Sequence, residues 1–320
     1  MFSSMSQYDS LKVWLDGKMV GYSEATVPIL THSMQYGSGI FEGIRAYPLP
    51  DGSAGIFRLS DHMERFVNTA RIYGMNLRYT KEELEDAVME VVAANGLSSC
   101  YIRPFAFYND DRIGLSVKDK KVSVYIAAVP LGNYFSDKNS GIRCRTSSWH
   151  RISSSVLPVQ AKASGNYLNS IIANSEARRS GFDEAILTSP EGYLAEGPGE
   201  NIFLVKKGKV LTPGDESDIL IGITRDTVMT IARDLGYEVV ARQIHREELY
   251  IADEAFFCGT AAEITPIVEV DGIRIGQGRP GNVTSRITEA LYRAVRGDTV
   301  HREWITSVSI AEKVSGSQRS

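Results

Sequence analysis

Lys162 is the only charged side chain between Ile152 and Ser175, set in LPVQAKASGNYLNS among small, apolar and turn-forming residues. Most other lysines sit in charged runs such as Lys118-Asp119-Lys120-Lys121. A lysine with no charged sequence neighbour is a candidate for desolvation, which frees the amine to act as nucleophile or base. On composition alone, a loop lysine facing water is the plainer reading. Lysine amines also form Schiff bases, so pyridoxal phosphate is the cofactor this residue suggests. That cofactor needs a carboxylate facing its pyridinium nitrogen, donors for its phosphate and a hydrogen bond to its phenolate oxygen. Glu196, in YLAEGPGENIF between two apolar segments, is a candidate carboxylate, although a solvated turn acid fits the same pattern. IGITRD (221–226) and CGTAAEITP (258–266) place Gly and Thr between a strand and a turn or helix start. Free N–H groups and hydroxyls in such places suit anions. Taken singly, each is ordinary turn material.

Other chemistries are less well supplied. The three cysteines (Cys100, Cys144, Cys258) form no CxxC, so neither a disulfide framework nor a structural zinc site is expected. The five histidines (His32, His62, His150, His245, His301) lie at least 30 residues apart, which leaves no helical metal-ligand pair. Gly37-Ser38-Gly39 is followed by Gly43, giving GxGxxxG rather than a dinucleotide fingerprint, and no acidic residue closes a βαβ unit.

The chain has 320 residues, 43% of them hydrophobic, with 35 Lys+Arg against 39 Asp+Glu. That is enough apolar material for a sizeable core and about two domains. A net charge of −4 argues against a dedicated nucleic-acid binder. No stretch approaches the length of a membrane span. The opening MFSSMSQYDS reads as a short flexible tail, and a cytoplasmic protein with reduced thiols is expected.

The elements that must position these residues follow from turns and caps. Asp16-Gly17, Asp51-Gly52, Lys207-Gly208 and Asp271-Gly272 mark hairpins. Phe41–Tyr47, Tyr101–Phe107 and Val122–Val129 read as strands, with the polar segment Asn109–Lys121 as a loop over a site. Ser60 is expected to cap a helix through Tyr73, and Thr80 with Glu83 forms a capping box for a helix ending near Gly96. Further helices are expected at Tyr167–Arg179, Thr224–Leu235, Arg246–Ile251 and Val283–Val295. This many hairpins predicts a largely antiparallel α+β (mixed α/β) fold. The expected division is a smaller N-terminal domain (1–131), a linker (132–140) and a larger cofactor-carrying domain (141–320).

In order, the motifs resemble branched-chain amino acid aminotransferases, of the fold-type IV, D-amino-acid-transaminase-like group of pyridoxal phosphate enzymes. The matching stretches are HSMQYGSGIFEGIRAY (32–47), FRLSDHMERF (57–66), YIRPFAF (101–107) and SSWHR (147–151). They continue through AKASGNYLNSIIANSEARRSG (161–181), EGPGENIF (196–203), GITRD (222–226) and ADEAFFCGTAAEITPI (252–267). The resemblance runs from about residue 11 to about residue 304. It implies that Lys162 is the Schiff-base lysine, Tyr167 the partner of the phenolate oxygen and Glu196 the partner of the ring nitrogen. It places Arg65, Ile223, Thr224 and Thr260 at the phosphate and makes Arg58 structural. Thr260 and Ala261 amides with the Tyr101 hydroxyl would hold the α-carboxylate. Arg103, Tyr36 and Tyr134 would take the side-chain carboxylate of glutamate in a pocket that also includes Phe41 and is otherwise apolar. The implied substrates are leucine, isoleucine or valine with 2-oxoglutarate, and the implied assembly is a homodimer or dimer-based hexamer. D-amino acid transaminase and aminodeoxychorismate lyase share the fold, and a non-catalytic metabolite-binding protein is the alternative of another class.

Overall fold

The computed structural model describes residues 7–132, 135, 140–298 and 300–310. The expected linker 132–140 therefore falls mostly outside the described residues, as does Tyr134. Of the expected tail, the described part forms a turn, with the Tyr8 ring edge-on to Tyr22 at 5.7 Å.

The chain opens with the hairpin β1 (Lys12–Leu15) and β2 (Lys18–Gly21), turned at Asp16-Gly17 with both residues at positive φ. A short helix α1 (His32–Tyr36) leads to β3 (Gly39–Phe41) and β4 (Ile44–Pro48). The single strand expected at Phe41–Tyr47 is thus two strands, broken at Glu42-Gly43. The break has a cause: the Glu42 carboxylate is drawn inward to side chains of the next helix instead of alternating outward. β5 (Ala54–Phe57) precedes α2 (Leu59–Ile72) and α3 (Lys81–Asn95), and β6 (Cys100–Tyr108) and β7 (Val122–Val129) complete the first half.

Thr80 and Glu83 form the expected reciprocal capping box, with bonds of 3.2 and 2.8 Å. Ser60 does not cap α2. The preceding position is Arg58, left-handed at φ 54, with its N–H on the Trp304 carbonyl and its guanidinium on Asp61 and Asp226. Tertiary anchoring there replaces a side-chain cap, in keeping with the structural role expected for Arg58.

The second half contains β8 (Ile142–Thr146), α4 (Tyr167–Arg179), β9 (Glu184–Ile186), β10 (Asn201–Lys206), β11 (Lys209–Pro213) and α5 (Ile223–Asp234). Then come β12 (Val239–Arg242), α6 (Arg246–Tyr250), β13 (Glu254–Gly259), β14 (Glu263–Val270), β15 (Ile273–Arg274), α7 (Asn282–Ala294) and β16 (Ile305–Val308).

Two eight-stranded sheets result. The first is ordered β16-β5-β4-β6-β7-β1-β2, with β3 paired to β6; the second is β12-β11-β10-β13-β14-β8-β9, with β15 paired to β14. Pairing is antiparallel except β11–β12, β8–β14 and β8–β9, as the hairpin count predicts. The last strand, β16, returns to the first sheet beside β5.

Alternation in β6 and β7 gives the first sheet two faces. Cys100, Ile102, Ala106, Val124 and Ile126 point at α2 and α3 and pack with Met63, Phe66, Leu84 and Val91. Each fully buried aliphatic or aromatic side chain of this kind contributes about 1.5–3 kcal/mol. Tyr101, Arg103, Phe105 and Tyr125 occupy the other face, which α2 and α3 leave uncovered. In the second sheet, α5 and α7 cover one face through Val228, Ile231, Ile287 and Leu291 against Phe203 and Phe256.

Candidate active site

Lys162 sits where the two sheets meet. Its carbonyl accepts the Phe41 N–H at 3.0 Å, and Ala163 bridges to Ile40, so a segment from the second half is stitched to β3 of the first sheet. Asn166 Nδ2 donates to the carbonyls of Pro158 and Ala161, which fixes the loop before Lys162. The amine, only partly buried, donates to Tyr167 Oη at 2.9 Å. It also lies 5.1 Å from the centre of the Phe41 ring. Lys162 and Tyr167 therefore form one hydrogen-bonded unit at the start of α4.

Glu196 lines the same cleft as Lys162 and is 6% exposed. Its Oε1 accepts from Arg151 Nε at 2.7 Å, and its Oε2 accepts from Asn201 Nδ2 at 3.1 Å and the Leu220 N–H at 3.2 Å. Burial raises this carboxyl above the ordinary carboxylate range, and the Arg151 guanidinium opposes that rise. The result is a basic carboxylate held in one orientation, suited to sharing a proton with a heterocyclic nitrogen.

The cleft also holds a helix start. α5 begins at Ile223, with Gly222 as its extended cap, so the first free N–H groups of a twelve-residue helix face the cleft. Arg65 reaches the same place from α2, with Nη1 donating to the Ile221 carbonyl at 2.9 Å. Lys162, Tyr167, Glu196, Arg65, Ile223, Thr224 and Thr260 all line one cleft. Every residue expected at the cofactor is thus brought together.

The expected substrate residues are placed less uniformly. Phe41 divides the cleft from the open face of the first sheet: its ring lies 4.8 Å from Tyr167 and 4.4 Å from the Arg103 guanidinium. Tyr101 and Arg103 line a larger, open groove on that face, beside Tyr125 and Phe107. Arg103 Nη2 donates to Tyr101 Oη at 2.9 Å, leaving the tyrosine proton free to be donated elsewhere. Ala261 is partly buried next to Thr260, and its carbonyl accepts from Arg45. Tyr36 stands apart from the cleft lining, 40% exposed, with its hydroxyl accepting the Gly114 N–H at 3.1 Å. That bond ties Tyr36 to the polar loop Asn109–Lys121.

The amino-transferase class IV family profile matches residues 39–270. The branched-chain-amino-acid aminotransferase of Pseudomonas aeruginosa is 46% identical over 95% of this chain and 99% of its own length. The branched-chain aminotransferase of Thermoproteus uzoniensis, solved with norvaline, superposes with a TM-score of 0.89 at 50% identity, covering 93% of this chain and 99% of that one. The branched-chain amino acid aminotransferase of Thermobaculum terrenum, solved in its PLP form, gives 0.90 at 38% identity, covering 95% and 100%. This chain belongs to the class IV aminotransferases, within their branched-chain group.

The residues of this class IV aminotransferase fit pyridoxal phosphate. An amine, a basic carboxylate and a helix N-terminus with an arginine occupy separate corners of one cleft. Two buried polar atoms in its wall, Glu200 Oε1 and Asn166 Oδ1, have no hydrogen-bond partner among the described residues, as expected of a cleft shaped for a polar group. Sequence reasoning missed four supporting residues. Arg151 and Asn201 orient Glu196, and Glu42, bonded in turn to His62, holds Arg65. Arg151 lay inside the matched stretch SSWHR, yet no sequence signal links it to a carboxylate 45 positions away. Glu42, an acid inside an apolar run, did carry a signal: a charge there needs a buried partner.

Proposed function

We propose that this chain is a branched-chain L-amino acid transaminase. It moves the amino group of leucine, isoleucine or valine to 2-oxoglutarate, giving the 2-oxo acid and L-glutamate in two half-reactions. Pyridoxal phosphate is its cofactor and supplies the electron sink and the carbonyl carbon that receives nitrogen. The observation that carries this reading is the Lys162–Tyr167 pair at 2.9 Å, set in one cleft with Glu196 and Arg65. Relatives named for this activity match nearly the whole chain.

Each residue then has a physical task. Lys162 Nζ would hold the cofactor's carbonyl carbon, and its free amine would take the Cα proton and return it. Tyr167 Oη holds that amine in place by accepting its hydrogen bond. Glu196 keeps the heterocyclic nitrogen protonated, which preserves the positive charge that draws electrons from Cα. Arg65, Ile223, Thr224 and Thr260 hold the phosphate. The Tyr101 hydroxyl, with its oxygen already engaged by Arg103, donates to the α-carboxylate together with the Thr260 and Ala261 amides. Arg103 Nε has no hydrogen-bond partner among the described residues, although the guanidinium lies over the Phe41 and Tyr101 rings. It can therefore receive the side-chain carboxylate of glutamate, while the ring contacts accommodate it beside an isobutyl group; the resemblance adds Tyr36 and Tyr134, of which Tyr36 stands apart here on the Gly114 N–H.

We further infer a smaller domain at 1–131, a linker at 132–140 and a larger domain at 141–320, with β16 reaching back to the first sheet. A homodimer or dimer-based hexamer is supported by the apolar side chains that α4 exposes, Leu168 at 66% and Ile171 at 57%. A cytoplasmic location is supported by three buried, unpaired cysteines. The D-amino acid transaminase reading has no observation in its favour. The test is donor choice: with 2-oxoglutarate as acceptor, L-leucine is turned over and D-alanine is not. Turnover of D-alanine alone would replace this reading with the other.

A further inference from the structure

Arg65 is held by three bonds before any ligand arrives. Nε and Nη2 donate to Glu42 Oε1 and Oε2 at 2.6 and 2.9 Å, and Nη1 donates to the Ile221 carbonyl at 2.9 Å. A guanidinium carries five N–H groups in one plane, so one N–H remains on each terminal nitrogen. Arg65 lines the cleft that Lys162 and Glu196 also line, so these two N–H groups are the donors it has left for a ligand there.

Glu42 is itself fully enclosed and fully bonded. It is 0% exposed, and its Oε2 also accepts from His62 Nδ1 at 2.7 Å and from the Gly43 N–H at 3.1 Å. His62, 2% exposed, is pushed below its ordinary value by burial, although Glu42 opposes this. A neutral ring donating through Nδ1 suits a carboxylate partner. His62 also borders a small cavity with Thr224, Gly259 and Thr260, directly behind the expected phosphate ligands.

We propose that Glu42, backed by His62, is a positioning residue that fixes Arg65 so that its two remaining N–H groups receive one phosphate monoester. The pair trades charge for direction. Glu42 cancels much of the arginine's field, so recognition depends on oriented hydrogen bonds rather than on net positive charge. The inference rests on reading Arg65 as the phosphate anchor.

The test compares apoenzyme dissociation constants for pyridoxal phosphate and for pyridoxal, which lacks the phosphate, followed by absorbance. Glu42→Gln weakens pyridoxal phosphate binding by about 10–100-fold, the usual scale for groups that orient a first ligand, and leaves pyridoxal binding unchanged. His62→Asn, whose amide nitrogen replaces Nδ1, keeps the wild-type ratio of the pyridoxal constant to the pyridoxal phosphate constant, whereas His62→Leu lowers that ratio. These histidine variants decide the matter if Glu42→Gln does not fold. A ratio unchanged in both Glu42→Gln and His62→Leu, an equal loss for both ligands, or tighter pyridoxal phosphate binding overturns the inference. Arg65→Gln separates the two levels. If it collapses the ratio while Glu42→Gln and His62→Leu do not, only this inference fails; if it leaves the ratio unchanged, the phosphate-anchor reading fails as well.

Discussion

Glu196 and Glu200 stand four positions apart in EGPGE and are both buried, yet their surroundings differ. Glu196 has a cation and two amide donors; Glu200 has the Gly199 N–H on one oxygen and no partner among the described residues on the other. On the proposed role of Glu196 as partner of the ring nitrogen, replacing it by Gln should lower turnover by about 10²–10³-fold. An unchanged turnover number would contradict its role. Glu200 makes a pH prediction. Burial and the neighbouring Glu184 charge push its carboxyl from 4.5 up to about 8. An acid with a raised folded-state pKa holds more protons when folded than unfolded inside that window, so stability falls as pH rises from 4.5 toward about 8. The Glu200→Gln protein should therefore gain thermal midpoint over wild type at about pH 8.5 and not at about pH 5. Parallel pH profiles would refute this. Sequence made Lys162 legible through its isolation, and Tyr167 and Glu196 through motif order. It could not show Arg151 or Glu42 at work, because charge pairs across long sequence separations leave no local pattern.

At the level of elements, turns and caps were readable because their chemistry is local. The four Xaa-Gly hairpins and the Thr80–Glu83 box formed where their residues demanded. Thr80→Ala should lower stability by about 1 kcal/mol, seen as a midpoint shift of about 2 °C, with turnover unaffected. A loss of activity would place α3 closer to the chemistry than its packing indicates. The break between β3 and β4 was not readable, since it depends on Glu42 turning inward to partners on α2. Gly43 at that break is functionally exposed: an added Cβ would lie 2.1 Å from Tyr101 Oη. Gly43→Ala must displace that hydroxyl. Losing one hydrogen bond to a charged group costs about 1.5–3 kcal/mol, so KM should rise about tenfold or more for amino acid and 2-oxo acid alike. A normal KM would remove Tyr101 from the carboxylate site. The origin of α2 was misread for a related reason, because Arg58 is fixed by Trp304 and Asp226, both remote in sequence.

For the whole molecule, the mixed, mainly antiparallel class followed from hairpin count, whereas the return of β16 to the first sheet had no signature in sequence. The meeting of the two sheets puts Lys162, Glu196, Arg65 and the start of α5 into one cleft, with Phe41 between it and Tyr101 and Arg103. The exposed apolar face of α4 belongs to this scale. A Leu168→Glu, Ile171→Glu double variant should sediment as a smaller species than wild type, and an unchanged sedimentation coefficient would place the subunit contact elsewhere. The central claim is a transaminase that runs through Lys162 in two separable half-reactions. Its most direct test is an absorbance titration of the enzyme loaded with pyridoxal phosphate, first with L-leucine and then with 2-oxoglutarate. The account predicts that leucine alone removes the visible-violet band, that 2-oxoglutarate restores it, and that Lys162→Ala shows neither change. A band indifferent to leucine, or a Lys162→Ala protein with the wild-type band and normal turnover, would contradict it.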